Sequence, residues 1–394
     1  MLFQTLDDKR ECVGVYLNGN LIYDEIPEGL SRTWSYSSFL ADREIDYAYL
    51  YAGGDDLESA CPAHLRDDWS RISEKLKSFI RSFQLSKIDL TQNCFFDLVP
   101  QRFLLEFCDL KNKITDHVFK TREKPKNYAF FCSLTKVIDE INQRPLNLDF
   151  AALRHHLVEH RVRQWLKKMQ AAEPHIRYNL FGTKTGRLTT KKNSFPILTM
   201  DKKFRSVLYP NNDWFVELDF NAAELRTLLA LSGHPQPQED IHEWNIKNIF
   251  DRSMTREEAK KEIFSWLYNP SVKHSAEKVY NRDQVKNKYW NGEEVTTEFD
   301  RTIPADDHHA LNYIVQSTTS DLLLRRMIKI HEMLKDKKSF ISWSMHDSLV
   351  IDFADEERGM LIDLVREFSS TELGQYKTNV SAGKNYGLMR ELRI

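Results

Sequence analysis

The segment FISWSMHDSLVIDF, residues 340–353, constrains the fold of this chain more than any other. Two apolar runs rich in β-branched and aromatic residues meet at the polar triplet His346-Asp347-Ser348, which reads as two strands joined by a tight turn. A further apolar strand, residues 214–218, leads into Asp219. Both aspartates therefore fall at strand ends, beside strands whose positions are fixed by core packing. Two such carboxylates brought together in one sheet would repel. A pair of Mg²⁺ ions about 3.5–4 Å apart would relieve that repulsion and form a clamp for phosphoryl transfer. Taken singly, either aspartate fits a turn or cap role better than a catalytic one, and their separation in sequence does not say whether they meet.

Helical spacing covers residues 69–83, 153–169, 222–231, 240–268, 311–334 and 356–368, with Ser232-Gly233 as a stop signal. Residues 12–17 and 45–51 read as strands, while residues 270–305 are polar and poorly periodic. Within the fourth helix Arg256, Lys260, Phe264 and Tyr268 recur every four residues, a stripe that drifts about 40° per step and so keeps to one side. Two cations followed by two aromatics suit a nucleoside triphosphate, phosphates at one end and sugar and base at the other. An amphipathic helix whose cations pair with Glu257, Glu258 and Glu262 accounts for the same spacing. In TGRL, residues 185–188, Gly186 permits close backbone approach and Arg187 can reach a phosphate or a minor-groove acceptor.

A chain of 394 residues, 41% of them hydrophobic, supports two or three domains with a sizeable core. The net charge of -2 argues on average against a nucleic-acid partner. The average hides residues 154–205, where thirteen Lys and Arg stand against three acidic residues, either a solvated face or a phosphate-contacting run. The five cysteines (Cys12, Cys61, Cys94, Cys108, Cys132) are odd in number and lack metal-ligand spacing, so reduced thiols in a cytoplasmic protein are expected. No signal peptide or membrane span is expected from the sequence.

Set in order, these pieces resemble the polymerase domain of the family A DNA polymerases, the group of bacterial polymerase I and phage replicases. DFNAAELR (219–226) resembles motif A, usually DYSQIELR, and MHDS (345–348) resembles motif C, usually VHDE. The family pattern RxxxKxxxFxxxYG is matched by Arg256, Lys260, Phe264 and Tyr268. TGRL, FRSVLYP (204–210), EDIH (239–242), NYIVQSTTSD (312–321) and AGKNYG (382–387) are similar to further family segments in the family's order, from about residue 180 to the C-terminus.

The resemblance implies an α+β right-hand fold with an antiparallel palm sheet, helical fingers and a helical thumb, preceded by a small N-terminal α/β domain. The expected division is 1–114 N-terminal domain, 115–180 thumb, 181–235 palm, 236–307 fingers and 308–394 palm. It implies that Asp219, Asp347 and the Phe220 backbone carbonyl hold two Mg²⁺ ions, for which Mn²⁺ can substitute. Arg256 and Lys260 would bind the triphosphate, with Lys260 also the general acid for pyrophosphate. Phe264 would stack on the incoming dNTP, Tyr268 flank the template base, Glu224 block a ribose 2′-hydroxyl and His242 touch the phosphates. Arg187, Arg205, Arg226, Asn312, Gln316 and His346 would contact primer-template DNA. A monomer without membrane attachment is implied, acting in phage or plasmid replication beside helicase, primase and single-strand-binding protein.

The chain also departs from the family pattern. Ser348 replaces the motif C glutamate, so a secondary carboxylate is missing; Asn269 replaces a glycine; and His308 stands where an arginine is usual. The stretch from Tyr268 to His308 is shorter than in bacterial members, implying trimmed fingers. Two rivals remain: a single-subunit phage-type RNA polymerase, whose motif C also reads HDS, and an inactive DNA-binding remnant. Glu224 and Phe264 argue against the first, and intact Asp219, Lys260 and Asp347 against the second. NCFFDL (93–98), with Asn93 and Asp97, faintly resembles the second motif of a 3′–5′ exonuclease, yet no upstream Asp-x-Glu segment is found to supply its first metal ligands. An inactive remnant is expected there, an ordinary buried loop being the alternative.

Overall fold

The computed structural model describes residues 1–393 except Arg10, Glu25, Ala171, Asp251, Arg252, Pro270 and Ser271. The chain divides into two compact units, residues 1–139 and 140–394.

In the first unit β1 (Phe3–Asp8), β2 (Glu11–Leu17) and β3 (Asn20–Ile22) form an antiparallel meander. β4 (Arg32–Thr33) and β5 (Asp46–Tyr47) pair in parallel, and a parallel bridge between Leu2 and Arg32 joins them to β1. Helices α1 (Arg66–Leu85) and α2 (Gln101–Thr121) are amphipathic and share one core. Asp67 and Asp68 in the first turn of α1 complement its dipole, and Trp69, Ile72 and Phe83 line its buried face. Opposite them lie Phe103, Leu110, Ile114 and Val118 of α2.

That packing corrects the expected domain boundary. A division after residue 114 cuts α2 in mid-helix, whereas Ile114 and Val118 belong to the same core, and the unit closes at residue 139. The expected thumb of 115–180 is therefore split between the two units. The run 45–51 is also not one strand: after Asp46–Tyr47 the chain turns into a helical turn, Ala48–Tyr51, and the Tyr47 N–H donates to the Tyr128 hydroxyl at 2.8 Å. Tripeptides spelled Asp-x-Glu do occur, at Asp42-Arg43-Glu44 and Asp56-Leu57-Glu58, contrary to the expectation that there is none. Both lie outside the strands, with their carboxylate residues exposed. Asp97 lies within a single helical turn, Phe95–Leu98, and Asn93 bonds locally to the Asp89 carbonyl at 2.9 Å. All five cysteines are in this unit and free.

The second unit is built on a five-stranded antiparallel sheet. Its central strand is β6 (Trp214–Phe220), flanked on one side by β8 (Ser348–Phe353) and then β7 (Phe340–Met345). On the other side lie β9 (Thr378–Gly383) and β10 (Arg390–Leu392). Alternation along β6 separates two faces. Val216, Leu218 and Phe220 are buried, the Phe220 ring stacking on Phe368 with centroids 4.3 Å apart. Phe215, Glu217 and Asp219 point the other way, where Phe215 meets Trp343 and Tyr386.

Basic residues of α3 (His160–Gln170) are exposed opposite buried Val162, Leu166 and Met169. After β6 the chain enters α4 (Ala223–Leu231) through Ala222, whose φ is +49°. The helical stretch expected at 240–268 is two helices, α5 (Ile241–Asn248) and α6 (Arg256–Tyr268), and residues 251 and 252 between them lie outside the described residues. The start of α6 is set by Thr255, which forms a capping box with Glu258. The long helix α7 (Asp307–Met333) packs its Ala310, Ile314 and Val315 with Leu225, Leu228 and Leu229 of α4 and with Ile263, Trp266 and Leu267 of α6. Helix α8 (Leu361–Ser369) follows β8 and carries Phe368. Among the described residues no helix is long and apolar enough to cross a membrane.

Candidate active site

Strand register brings the two aspartates to the same end of the sheet. Asp219 lies opposite Ser348 of β8 and opposite Asn379 of β9. Asp347 occupies the turn between β7 and β8, after His346, whose φ of +55° lets the hairpin close in two residues. The Phe220 N–H donates to the Asp347 carbonyl at 3.2 Å, tying the turn to the end of β6.

The electrostatics follow from that placement. Burial lifts the Asp219 carboxyl from its ordinary 3.8 to about 6; a 3.3 Å hydrogen bond from Asn379 opposes the rise, and the nearby Glu217 and Asp347 add to it. Burial also raises Asp347, against the pull of Arg187 and His346. Neither aspartate has a cation within ion-pairing distance among the described residues. A divalent cation would offset two such charges. No set of three or more His, Cys, Asp and Glu side chains converges to hold a metal among the described residues. The donors on offer are thus the two carboxylates and backbone carbonyls, a sparse set of the kind Mg²⁺ accepts alongside water and phosphate oxygens.

Glu224 links this site to the two other motifs. It is buried in the first turn of α4 and accepts from Arg187 of the TGRL loop at 2.5 Å and from the Tyr268 hydroxyl at the end of α6. Burial raises its pKa, Arg187 lowers it and Asp347 raises it further. The Tyr268 ring lies nearly parallel to that of Phe264, with centroids 6.1 Å apart and planes 8° apart. The rings of Phe264 and His242 lie 5.9 Å apart. His242 is buried, which pushes its pKa down to about 4, and its Nδ1 has no hydrogen-bond partner among the described residues. Lys260 is exposed on the same stripe of α6, whose opposite side, Ala259, Ile263 and Trp266, is buried.

Arg256, the first cation of the stripe, is paired with Asp240 at 2.8 Å and with Glu257 at 3.0 Å. Asp240 also caps α5 and accepts from Asn221 at 2.8 Å. Burial alone would raise the Asp240 carboxyl, but these hydrogen bonds and Arg256 hold it well below the usual carboxylate range.

The loop 183–188 is pinned from inside. Gly186 has φ of +77°, and a Cβ there would come within 2.5 Å of the Arg301 guanidinium. Arg301 forms a two-pronged ion pair with buried Asp321 of α7, at 3.0 and 2.5 Å. Thr185 donates to Gln316 at 2.7 Å, and the Oδ1 of Asn312, one turn earlier on α7, has no partner among the described residues. Arg205 lies over the Tyr386 ring at 4.9 Å, and His346 is exposed at the hairpin turn.

Arg226 departs from the expected DNA-contact role. It is fully buried, and its guanidinium is bonded to the carbonyls of Asn221, Pro237 and Glu239 at 2.7–2.8 Å and to the Asn221 side chain at 3.1 Å. It clamps the segment after α4 and has no surface to offer a ligand. Asp240, Arg301 and Asp321 were not singled out by the sequence, since their partners are set by tertiary packing. Glu217 carried one local signal, its position two residues before Asp219 on the same strand face.

The fold is one that a solved polymerase domain shares. The solved structure of the POL domain of Pol1 from M. smegmatis, in complex with DNA primer-template and dNTP, shares the fold with a TM-score of 0.55 at 13% identity, covering 72% of this chain and 75% of that one. By sequence the chain is similar to DNA polymerase I of Chloroflexus aurantiacus, 22% identical over 277 residues, or 56% of this chain. The match spans 29% of that relative's length. No family model matches the sequence. Sequence similarity and shared fold together support the family that the ordered motifs resemble, the polymerase domain of the family A DNA polymerases.

Proposed function

We propose that the chain is a primer-dependent, template-directed DNA polymerase, adding dNTPs to a DNA 3′-hydroxyl. The observation that carries this reading is the meeting of Asp219 and Asp347 at one sheet end, with Glu224 beside them tied to both Arg187 and Tyr268. In this reading residues 181–235 and 308–394 form the palm and 236–307 the fingers.

The chain's own residues divide the work. Arg256 and Lys260 hold the triphosphate, His242 touches it, and the Lys260 Nζ gives a proton to the leaving pyrophosphate. Phe264 stacks on the incoming sugar and base, and Tyr268 flanks the template base. Glu224, held in place by Arg187 and Tyr268, fills the space a ribose 2′-hydroxyl would need. Arg187, Asn312 and Gln316 face the minor groove, while Arg205 and His346 meet the primer end. Asp219, Asp347 and the Phe220 carbonyl would hold two Mg²⁺ ions, or Mn²⁺ in their place, which would supply positive charge favouring an ionised 3′-hydroxyl and leaving pyrophosphate.

Extension of a primed template, with dNTPs and rNTPs in parallel, tests the reading. Primer-dependent dNTP incorporation is expected. Unprimed rNTP incorporation would replace the reading by an RNA polymerase, and no incorporation with retained primer-template binding would replace it by an inactive binding domain. We read residues 1–139 as an exonuclease-derived domain without activity, because its Asp-x-Glu tripeptides lie off the strands; Mg²⁺-dependent degradation of single-stranded DNA would contradict this. The lack of exonuclease activity in this reading favours a role in phage or plasmid replication, as a monomer beside helicase, primase and single-strand-binding protein.

A further inference from the structure

Ser348 leaves the motif C position without its acid, yet the sheet end is not short of a third carboxylate. Glu217 is two residues before Asp219 on β6, so its side chain leaves the same face of the sheet. Ser348 is the direct cross-strand partner of Asp219 and is buried. Its Oγ lies 2.9 Å from Glu217 Oε1, and its proton is shared between that oxygen and the Met345 carbonyl at 3.0 Å. The Tyr386 hydroxyl approaches the same Oε1 at 3.4 Å. Both contacts are neutral donors, and among the described residues no cation is within ion-pairing distance of Glu217. A half-buried carboxylate with no cation is costly to keep for structure alone, since an amide would accept the same hydrogen bonds without the charge.

We propose that Glu217 is the secondary carboxylate of the Asp219–Asp347 site, supplied from β6 in place of the acid missing at position 348. The inference rests on the polymerase reading above. Ser348 and Glu217 explain each other. A glutamate at 348 would place a second like charge against Glu217, whereas serine leaves room for Glu217 and gives it a donor. Because no three acidic or ligating side chains converge among the described residues, Glu217 is a positioning residue, acting on the hydration shell of a bound ion and through the Ser348 hydrogen bond.

The test is direct Mn²⁺ binding to the full chain by calorimetry, without DNA or nucleotide, alongside the Mg²⁺ dependence of primer extension. Glu217→Gln keeps the side chain's volume and its hydrogen bonds, so its thermal melt should match the parent. Its Mn²⁺ affinity should fall about tenfold, and its Mg²⁺ requirement should rise in step. The double variant Glu217→Ser with Ser348→Glu, which moves the acid across the strand pair, should regain most of the lost affinity. Parental Mn²⁺ binding by Glu217→Gln, with binding lost in Asp347→Ala, overturns this inference and leaves the polymerase reading standing. Parental binding by Asp347→Ala overturns both.

Discussion

Two regions of the second unit treat buried charge in opposite ways. Around α7 and the helices packed on it, the buried cations are matched. Arg301 is forked onto Asp321, and Arg326 is held by Glu367 at 3.1 Å, Glu372 at 2.7 Å and the Ser370 carbonyl at 2.6 Å. Arg282 is held by Glu277 at 3.0 Å and the Val272 carbonyl at 3.0 Å. Arg226, which burial brings down to about 10, is surrounded by carbonyl acceptors. At the end of the sheet Asp219, Asp347 and Glu217 lie together without a paired cation among the described residues. The contrast separates buried charge that is matched around α7 from carboxylates left without a cation at the sheet end, where the proposed metal site lies.

The largest effect expected from that contrast is on chemistry. Asp347→Ala should lower primer extension by at least about a thousandfold while leaving primer-template binding intact in a filter or anisotropy assay. Next comes stability at a matched site. Asp321→Ala strands Arg301 in the interior and should cost about 3–5 kcal/mol in denaturant unfolding. The unmatched site should respond with the opposite sign. Between its ordinary 3.8 and about 6, the folded chain keeps a proton on Asp219 that the unfolded chain has released, so stability falls as pH rises through that window. The drop amounts to about 3 kcal/mol. Asp219→Asn should therefore be more stable than the parent at pH 8 and equal to it near pH 4; equal stability at both would break the comparison. A smaller effect is expected at Gly186, where alanine should cost about 1–2 kcal/mol from the left-handed backbone alone, with a further loss as Arg301 is displaced. Smallest is Glu224→Ala, which should relax the preference for dNTPs over rNTPs by about tenfold, read from competing incorporation on one template.

Much of the second unit was legible in the sequence. The hairpin around Asp347, the strand into Asp219 and the stripe on α6 each rest on local periodicity, and the structure contains them where the spacing put them. The resemblance then gave the motifs an order that no single segment carries. What escaped depends on contacts between distant residues. Arg226 belongs to a motif by position, but its surroundings bury it. Asp240 reads as an ordinary helix cap until Arg256 arrives from the next helix. The boundary at 114 was misplaced because basic helical spacing continues through α2, and only its packing against α1 shows which core owns it.

Gly186 and Arg301 make the shape of one loop depend on a distant helix. The loop 183–188 reaches its final shape only when the Arg301 guanidinium fills the space left by the absent Cβ, and Arg301 is held there by Asp321. Gly186 is far along the chain from Arg301 and Asp321, so the contact closes a long loop. The loop that positions Arg187 against Glu224 thus takes its shape from a contact outside itself. A change at Arg301 or Asp321 therefore reaches Arg187 and Glu224 without touching either.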